Sequence, residues 1–215
     1  MNLRKQFAED GFAFPFVAFL ECEANSLLKA YEATALIASR DLVLASLHTV
    51  LKPHLIWLWA DAIANHPPIL DVVEEVLGPD ILIWSMDIFR REPSRGADLH
   101  KCPDRSDQIA PIGLDWHQDS LYLGLHPNDE VVRVWLALTS TMPENGTMRY
   151  LRGSHRLGTC PHLPADSATG FLRGPRVLAE IDHEAVVPVC LNPGCFSMHD
   201  IRIIHDSGAN MTDAS

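Results

Sequence analysis

Basic charge is the first thing this sequence lacks. Its 215 residues carry 17 Lys and Arg against 28 Asp and Glu, a formal net charge of −11 with histidine neutral. Nucleic acid is bound by clustered cations that release counterions, and an anionic membrane surface needs the same kind of patch, so neither is expected as a partner. Cysteine is scarce and odd in number, five without close even spacing. That excludes a disulfide framework and points to a reducing compartment, with the cytoplasm as the expected location. No apolar run is clean enough to span a bilayer, because the best of them, residues 42–60, is interrupted by His48, Lys52, Pro53 and His54. Residues 1–11 reach Glu9 and Asp10 before any apolar core develops, unlike a secretory leader. The patterns G-x-x-x-x-G-K-[ST], G-x-G-x-x-G and G-x-S-x-G are all missing, which removes the common nucleotide-binding and hydrolase signatures.

What is present reads as one globular domain over residues 1–215, since 47% of the residues are hydrophobic and 21% charged. Residues 1–80 are expected to be helical. Between Glu21 and Lys52 apolar positions recur at three- and four-residue spacings, with a break near Ser39, Arg40 and Asp41, where Asp41 can cap a new start. Pro67 and Pro68 suit a first helical turn, Ile69, Val72, Val73, Val76 and Leu77 form a stripe, and Gly78-Pro79 closes it. From residue 81 the period changes to two. Strands are expected over 81–89, 113–123, 131–139, 147–151, 185–191 and 196–205, with turns such as Pro143-Glu144-Asn145-Gly146 between them. No helix separates these strands, so parallel βαβ folds are excluded. A mainly β, α+β architecture follows: a jelly-roll or cupin-like antiparallel roll with the N-terminal helices packed on one sheet. Residues 92–111 form a polar loop long enough to act as a lid.

Histidine is abundant, with 11 residues. In Trp116-His117-Gln118-Asp119 an imidazole and a carboxylate are two positions apart, so on a strand they share a face and can grip one ion. Chance alone supplies about one His-x-(Asp/Glu) pair in such a composition, so the pair needs company. A facial triad for non-haem Fe(II) requires a second histidine from another strand and leaves positions open for oxygen and a co-substrate. His205 is the best donor and His199 the rival. On an unbroken strand the two lie roughly 20 Å apart, so only one can reach the ion. Cys190, Cys195, His199 and His205 can also be drawn as a zinc site, although the turn at Asn192-Pro193-Gly194 separates the thiols poorly for one.

The segments W-H-Q-D-S-L-Y-L-G-L (116–125), V-V-R-V-W-L-A-L (131–138), E-N-G-T-M-R-Y-L-R-G-S-H-R-L-G (144–158) and P-G-C-F-S-M-H-D-I-R-I-I-H-D-S-G-A-N (193–210) resemble the phytanoyl-CoA dioxygenase family, as does E-D-G-F-A-F-P (9–15). The resemblance implies a double-stranded β-helix that uses Fe(II), 2-oxoglutarate and O2 to hydroxylate a small-molecule substrate. It implies iron held by His117, Asp119 and His205. It implies a 2-oxoglutarate pocket lined by Gln118, Trp135 and Ser207, with Arg91 reaching that co-substrate, Tyr122 facing substrate or co-substrate, and Asn145-Gly146 turning the chain before the G-S-H strand. By pattern alone Trp135 reads as core, Ser207 as a turn residue and Arg91 as part of a charged edge. Family members also place an arginine shortly after the distal histidine to fork the far carboxylate of 2-oxoglutarate. No arginine follows Arg202 here. The expectation is therefore a missing C-terminal strand and weak 2-oxoglutarate binding, with a catalytically impaired jelly-roll metal-binding protein, or a cupin-like isomerase or lyase, as the alternatives.

Overall fold

In the computed structural model, which describes residues 2–38, 52–91, 93, 113–125, 130–163 and 176–213, helices and antiparallel sheets share three apolar clusters. The chain opens with helix α1 (Leu3–Asp10), capped by the Asn2 side chain and ended by Gly11 in the left-handed region. Strand β1 (Phe12–Val17) follows, then α2 (Glu21–Ala38), α3 (Leu58–Ala64) and α4 (Pro67–Leu77). The last of these has the expected boundaries. Proline occupies its first turn, Ile69 and Val73 are buried, and the Gly78 N–H closes it on the Glu74 carbonyl. The helix expected beyond Asp41 lies outside the described residues.

β1 corrects the expectation of an all-helical first eighty residues. Gly11 stops the helix, and the run Phe12 to Val17 pairs antiparallel with a strand near the other end of the chain. Pro15 is tolerated because β1 is an edge strand with an irregularity between Ala13 and Phe16. The strand expected over 81–89 is also corrected, since Asp87 alone in that stretch shows bridge pairing. Ile81 and Met86, an odd number of positions apart, still pack partly buried against the core without a ladder.

The remaining strands are β2 (Leu114–His117), β3 (Val132–Leu136), β4 (Met148–Leu151), β5 (His162–Leu163), β6 (Arg176–Val177), β7 (Val186–Pro188), β8 (Cys195–Asp200) and β9 (His205–Ser207). One sheet has the order β1-β8-β3 and a second β2-β9-β4-β7; β5 and β6 pair on their own. Where a strand was expected over 113–123, β2 ends at His117 and a short helical turn, α5 (Ser120–Leu123), follows. The segment 196–205 is likewise two strands in two sheets. Asp200 causes the corner: its carboxylate accepts from the Arg202 N–H and guanidinium, and its carbonyl accepts from Ile203 N, a side-chain-stabilised turn that interrupts the ladder.

β8 is the central strand of its sheet. Phe196 and Met198 point to one face, where they meet Phe7, Ile63, Ile69 and Val73 from the helices. This is the expected packing of N-terminal helices on one sheet. Ser197 and His199 point to the other face and meet Tyr150 of β4, so the two sheets approach each other there. Tight backbone contacts hold the second sheet together. A Cβ on Gly113 would stand 1.9 Å from the Ser207 carbonyl oxygen, and one on Gly146, with φ +82°, 2.5 Å from that of Gly208.

Candidate metal centre

β2 and β9 pair with His117 opposite His205, and β4 pairs on the other side with Tyr150 opposite His205. Both imidazoles therefore point from neighbouring strands into the space between the sheets. Their ring centroids are 4.2 Å apart. Asp119 heads α5, whose first N–H, that of Ser120, is held at 2.9 Å by the Ile201 carbonyl of the corner. Asp119 Oδ1 lies 3.9 Å from His117 Nε2, and Oδ2 lies 3.9 Å from His205 Nε2. All three residues are buried, and one ligand atom from each falls within 4.8 Å of the others.

The donor chemistry fits a divalent ion. His117 Nδ1 is 2.7 Å from the Asp115 carbonyl and His205 Nδ1 is 3.1 Å from that of Ile203, so each ring donates Nδ1–H to a backbone carbonyl two residues before it and presents the Nε2 lone pair inward. Two such nitrogens and a carboxylate are the ligand set of a non-haem Fe(II) facial triad. Ligand bonds of about 2.1 Å place neighbouring donors about 3 Å apart, so the observed set is slightly open and closes by side-chain torsion.

Burial pushes the His117 imidazole down to about 4, with His205 and Arg133 adding to the effect and Asp119 opposing it. Burial does the same to His205, also down to about 4, against the pull of Asp119. Burial would raise Asp119, but His205, His199 and Arg133 outweigh it and hold its carboxyl well below the usual carboxylate range. Both imidazoles are therefore neutral, as ligands must be. A stability prediction follows for the metal-free protein. The unfolded chain takes up protons on these two residues as pH falls below 6.5, whereas the folded chain resists until about 4. Their contribution is fully present above pH 6.5 and is lost between 6.5 and 4, on the order of a few kcal/mol. Urea denaturation at pH 7.5 and 5 should show the drop, and His117→Gln should flatten it. Equal stability at both pH values would contradict the assignment.

Most of the other expected site residues gather around the same strands. Ser207, two positions beyond His205 on the same face of β9, accepts a short hydrogen bond from the Arg91 guanidinium and another at 3.3 Å from Leu114 N. Asn210 donates to the Arg91 carbonyl at 2.9 Å, and burial lowers the Arg91 pKa. Tyr122 is half exposed, with its ring 6.1 Å from that of His117. Trp135 on β3 packs partly buried beside the core of Phe12, Tyr150 and Ile203. Asn145 closes the turn before β4 by accepting from Met142 N at 2.8 Å.

Gln118 corrects the expectation of a pocket role. It alternates away from His117 and Asp119, and its amide is consumed by the Gly158 and Arg202 carbonyls and the Cys160 N–H at 2.6–2.8 Å. It ties three loops together. His199 is corrected in position: the corner at Asp200 folds β8 and β9 against each other, and its ring centroid lies 5.2 Å from that of His205. Cys190 and Cys195 do not belong to any metal-ligating group among the described residues. The expected lid over 92–111 lies, apart from residue 93, outside the described residues.

Arg133 was not singled out from the sequence. Its Nη1 is 2.9 Å from Asp119 Oδ2 and its Nη2 is 2.5 Å from Asp87 Oδ2. The available signal was a lone cation inside the apolar run V-V-R-V-W-L-A-L, on the same face as Trp135.

Comparison with known proteins gives the family and the fold. A family model described as phytanoyl-CoA dioxygenase matches residues 26–215. The phytanoyl-CoA dioxygenase domain-containing protein 1 of Bos taurus is 30% identical over 140 residues, covering 63% of this chain and 42% of that protein. A probable alpha-ketoglutarate-dependent hypophosphite dioxygenase of Stutzerimonas stutzeri is 26% identical over 170 residues, 76% of this chain and 52% of that one. The chain thus spans about half the length of the curated relatives it matches. Among solved structures, the non-heme monooxygenase ThoJ in its apo form superposes with a TM-score of 0.84 at 39% identity, over 99% of this chain and 73% of that one. EvdO2 of Micromonospora carbonacea var. aurantiaca, complexed with 2-oxoglutarate, shares the fold at 20% identity, with a TM-score of 0.63 over 98% of this chain and 84% of its own.

Proposed function

Because the chain belongs to the phytanoyl-CoA dioxygenase family, we propose that it is an Fe(II)- and 2-oxoglutarate-dependent oxygenase that hydroxylates a small-molecule substrate. The observation that carries the reading is the buried His117, Asp119 and His205 group, with both Nε2 lone pairs turned inward. In this reading the two facing antiparallel sheets are the double-stranded β-helix, and the three side chains hold the iron between them. Bound Fe(II), 2-oxoglutarate and O2 supply the oxidising power for C–H hydroxylation, with 2-oxoglutarate leaving as succinate and CO2.

The chain's own residues bind, orient and exclude water. Arg91 and Ser207 present a guanidinium and a hydroxyl beside the β9 ligand, a donor pair suited to a carboxylate of 2-oxoglutarate. Removal of water from the Arg91 guanidinium strengthens that attraction. Half-exposed Tyr122, with its ring 6.1 Å from that of His117, is placed to meet the substrate, while Trp135 packs on the apolar core of Phe12, Tyr150 and Ile203. Gln118 keeps the β2–α5 corner rigid, so that His117 and Asp119 hold their spacing.

Anaerobic addition of Fe(II) and 2-oxoglutarate should produce a visible charge-transfer band. Arg91→Ala should raise the 2-oxoglutarate concentration for half-saturation of that band by about 10- to 100-fold, the worth of 1.5–3 kcal/mol for a hydrogen bond to a charged group. A band independent of 2-oxoglutarate, or unchanged half-saturation in the variant, would remove the proposal's co-substrate site.

A further inference from the structure

We propose that Arg133 and His199 are positioning residues that clamp Oδ2 of Asp119 and leave Oδ1 as the oxygen offered to a metal ion, an inference that rests on the metal centre proposed above. The two are direct cross-strand partners of β3 and β8. Both project from one sheet onto a carboxylate carried by the β2–α5 corner of the other. Arg133 Nη1 approaches Oδ2 at 2.9 Å and His199 Nε2 approaches the same oxygen at 3.5 Å. Oδ1 receives neither and faces His117 Nε2 at 3.9 Å, whereas Oδ2, which lies equally far from His205 Nε2, already has both donors on it.

Each clamp is itself held. The Arg133 guanidinium is anchored on its far side by Asp87, so its plane is set by two carboxylates that use two different nitrogens. A lysine has one nitrogen and cannot span both. His199 is 1% exposed, and its Nδ1 lies 2.8 Å from the Tyr150 hydroxyl, which lies 2.9 Å from Ser197 Oγ.

For a neutral His199 ring, proton bookkeeping has one consistent solution. An ionised carboxylate only accepts, so His199 Nε2 carries its hydrogen toward Asp119. In a neutral ring Nδ1 must then accept from Tyr150, and the Tyr150 oxygen accepts from Ser197. His117 and His205 have the opposite tautomer, with Nδ1–H spent on backbone carbonyls. Three imidazoles thus surround one carboxylate, two offering lone pairs and one offering a proton. This separates the ligands from their neighbour: His199 lies within hydrogen-bonding reach of Asp119, yet it presents a donor and does not serve as a ligand. A carboxylate gripped at Oδ2 by two donors also resists rotation about its Cβ–Cγ bond.

Cobalt(II) titration, followed by the visible d–d bands with no 2-oxoglutarate present, tests this apart from turnover. His199→Leu and Arg133→Gln should each weaken cobalt binding by about 10- to 100-fold and shift the bands, as loss of a group that orients a ligand does. His199→Gln, which keeps an N–H near the Nε2 position, should restore most of the affinity. Tyr150→Phe, which leaves Asp119 untouched but frees the tautomer, should give a smaller loss, and it keeps the test decisive if His199→Leu fails to fold. Wild-type affinity and spectrum in Arg133→Gln and in either His199→Leu or Tyr150→Phe would overturn the clamp. Cobalt binding by the wild type without a 2-oxoglutarate band would instead defeat the proposed function and leave the clamp standing, whereas no cobalt binding at all would overturn both.

Discussion

Asp119→Ala is expected to abolish Fe(II) binding, and His117→Ala to weaken it by more than about 100-fold, the upper end of what loss of a mere supporting group costs. The order of the two effects is informative. Removing His117 takes away a neutral donor and leaves the balance of charge as it was. Removing Asp119 takes away the only anionic ligand and turns Arg133, now paired with Asp87 alone, toward an approaching dication. Like charges a few ångströms apart in a largely buried site repel by several kcal/mol at an effective dielectric near 20. Isothermal titration with Fe(II) under anaerobic conditions, with succinate release from 2-oxoglutarate as the second readout, should rank the proteins wild type, His117→Ala, Asp119→Ala. Equal metal affinity in wild type and Asp119→Ala would show that the ion binds elsewhere.

Phe196→Ala should be the most destabilising of the simple core substitutions, by about 3–5 kcal/mol. The ring is fully buried in the middle strand of the β1-β8-β3 sheet, and its centroid lies 5.1 Å from that of Phe16 with the two rings tilted. Helices cover it on the face opposite Tyr150, so the surrounding structure has little freedom to collapse into the space left behind. Set against a typical folding stability of 5–15 kcal/mol, that loss leaves the variant marginal. The effect also reaches the site, because the same strand carries Ser197 and His199 on its other face. Urea denaturation should show the shift in midpoint, while Leu58→Ala, at a position 88% exposed, should stay within about 0.5 kcal/mol of wild type. A Phe196→Ala protein within 1 kcal/mol of wild type would mean that the core does not depend on this ring.

Local pattern proved a good guide where one element meets one environment. The stripe of Ile69 and Val73 with proline before and glycine after defines α4 because a helix on a sheet needs only its own period and its own caps. The apolar runs that became β3 and β4 were equally plain. Pattern misled where burial and pairing part company. Residues 81–89 pack Ile81 and Met86 partly buried against the core, but a ladder also needs a neighbour with free N–H and C=O groups, which periodicity does not report. The reverse holds for β1, whose partner β8 lies some 180 residues along the chain and converts a short aromatic run into a sheet edge.

The comparison of His199 with His205 marks the boundary most clearly. Residue types, the spacing of His117 and Asp119, the acidic balance and the resemblance to an oxygenase family were all determined by the sequence alone, because each is a local or compositional property. Which histidines offer a lone pair, which one offers a proton, and the presence of Arg133 at the carboxylate were decided only by tertiary structure. The physical reason is the corner at Asp200: one side-chain-stabilised turn sends β8 and β9 into different sheets, so two residues that an extended strand would hold roughly 20 Å apart meet at 5.2 Å around a carboxylate 80 residues away.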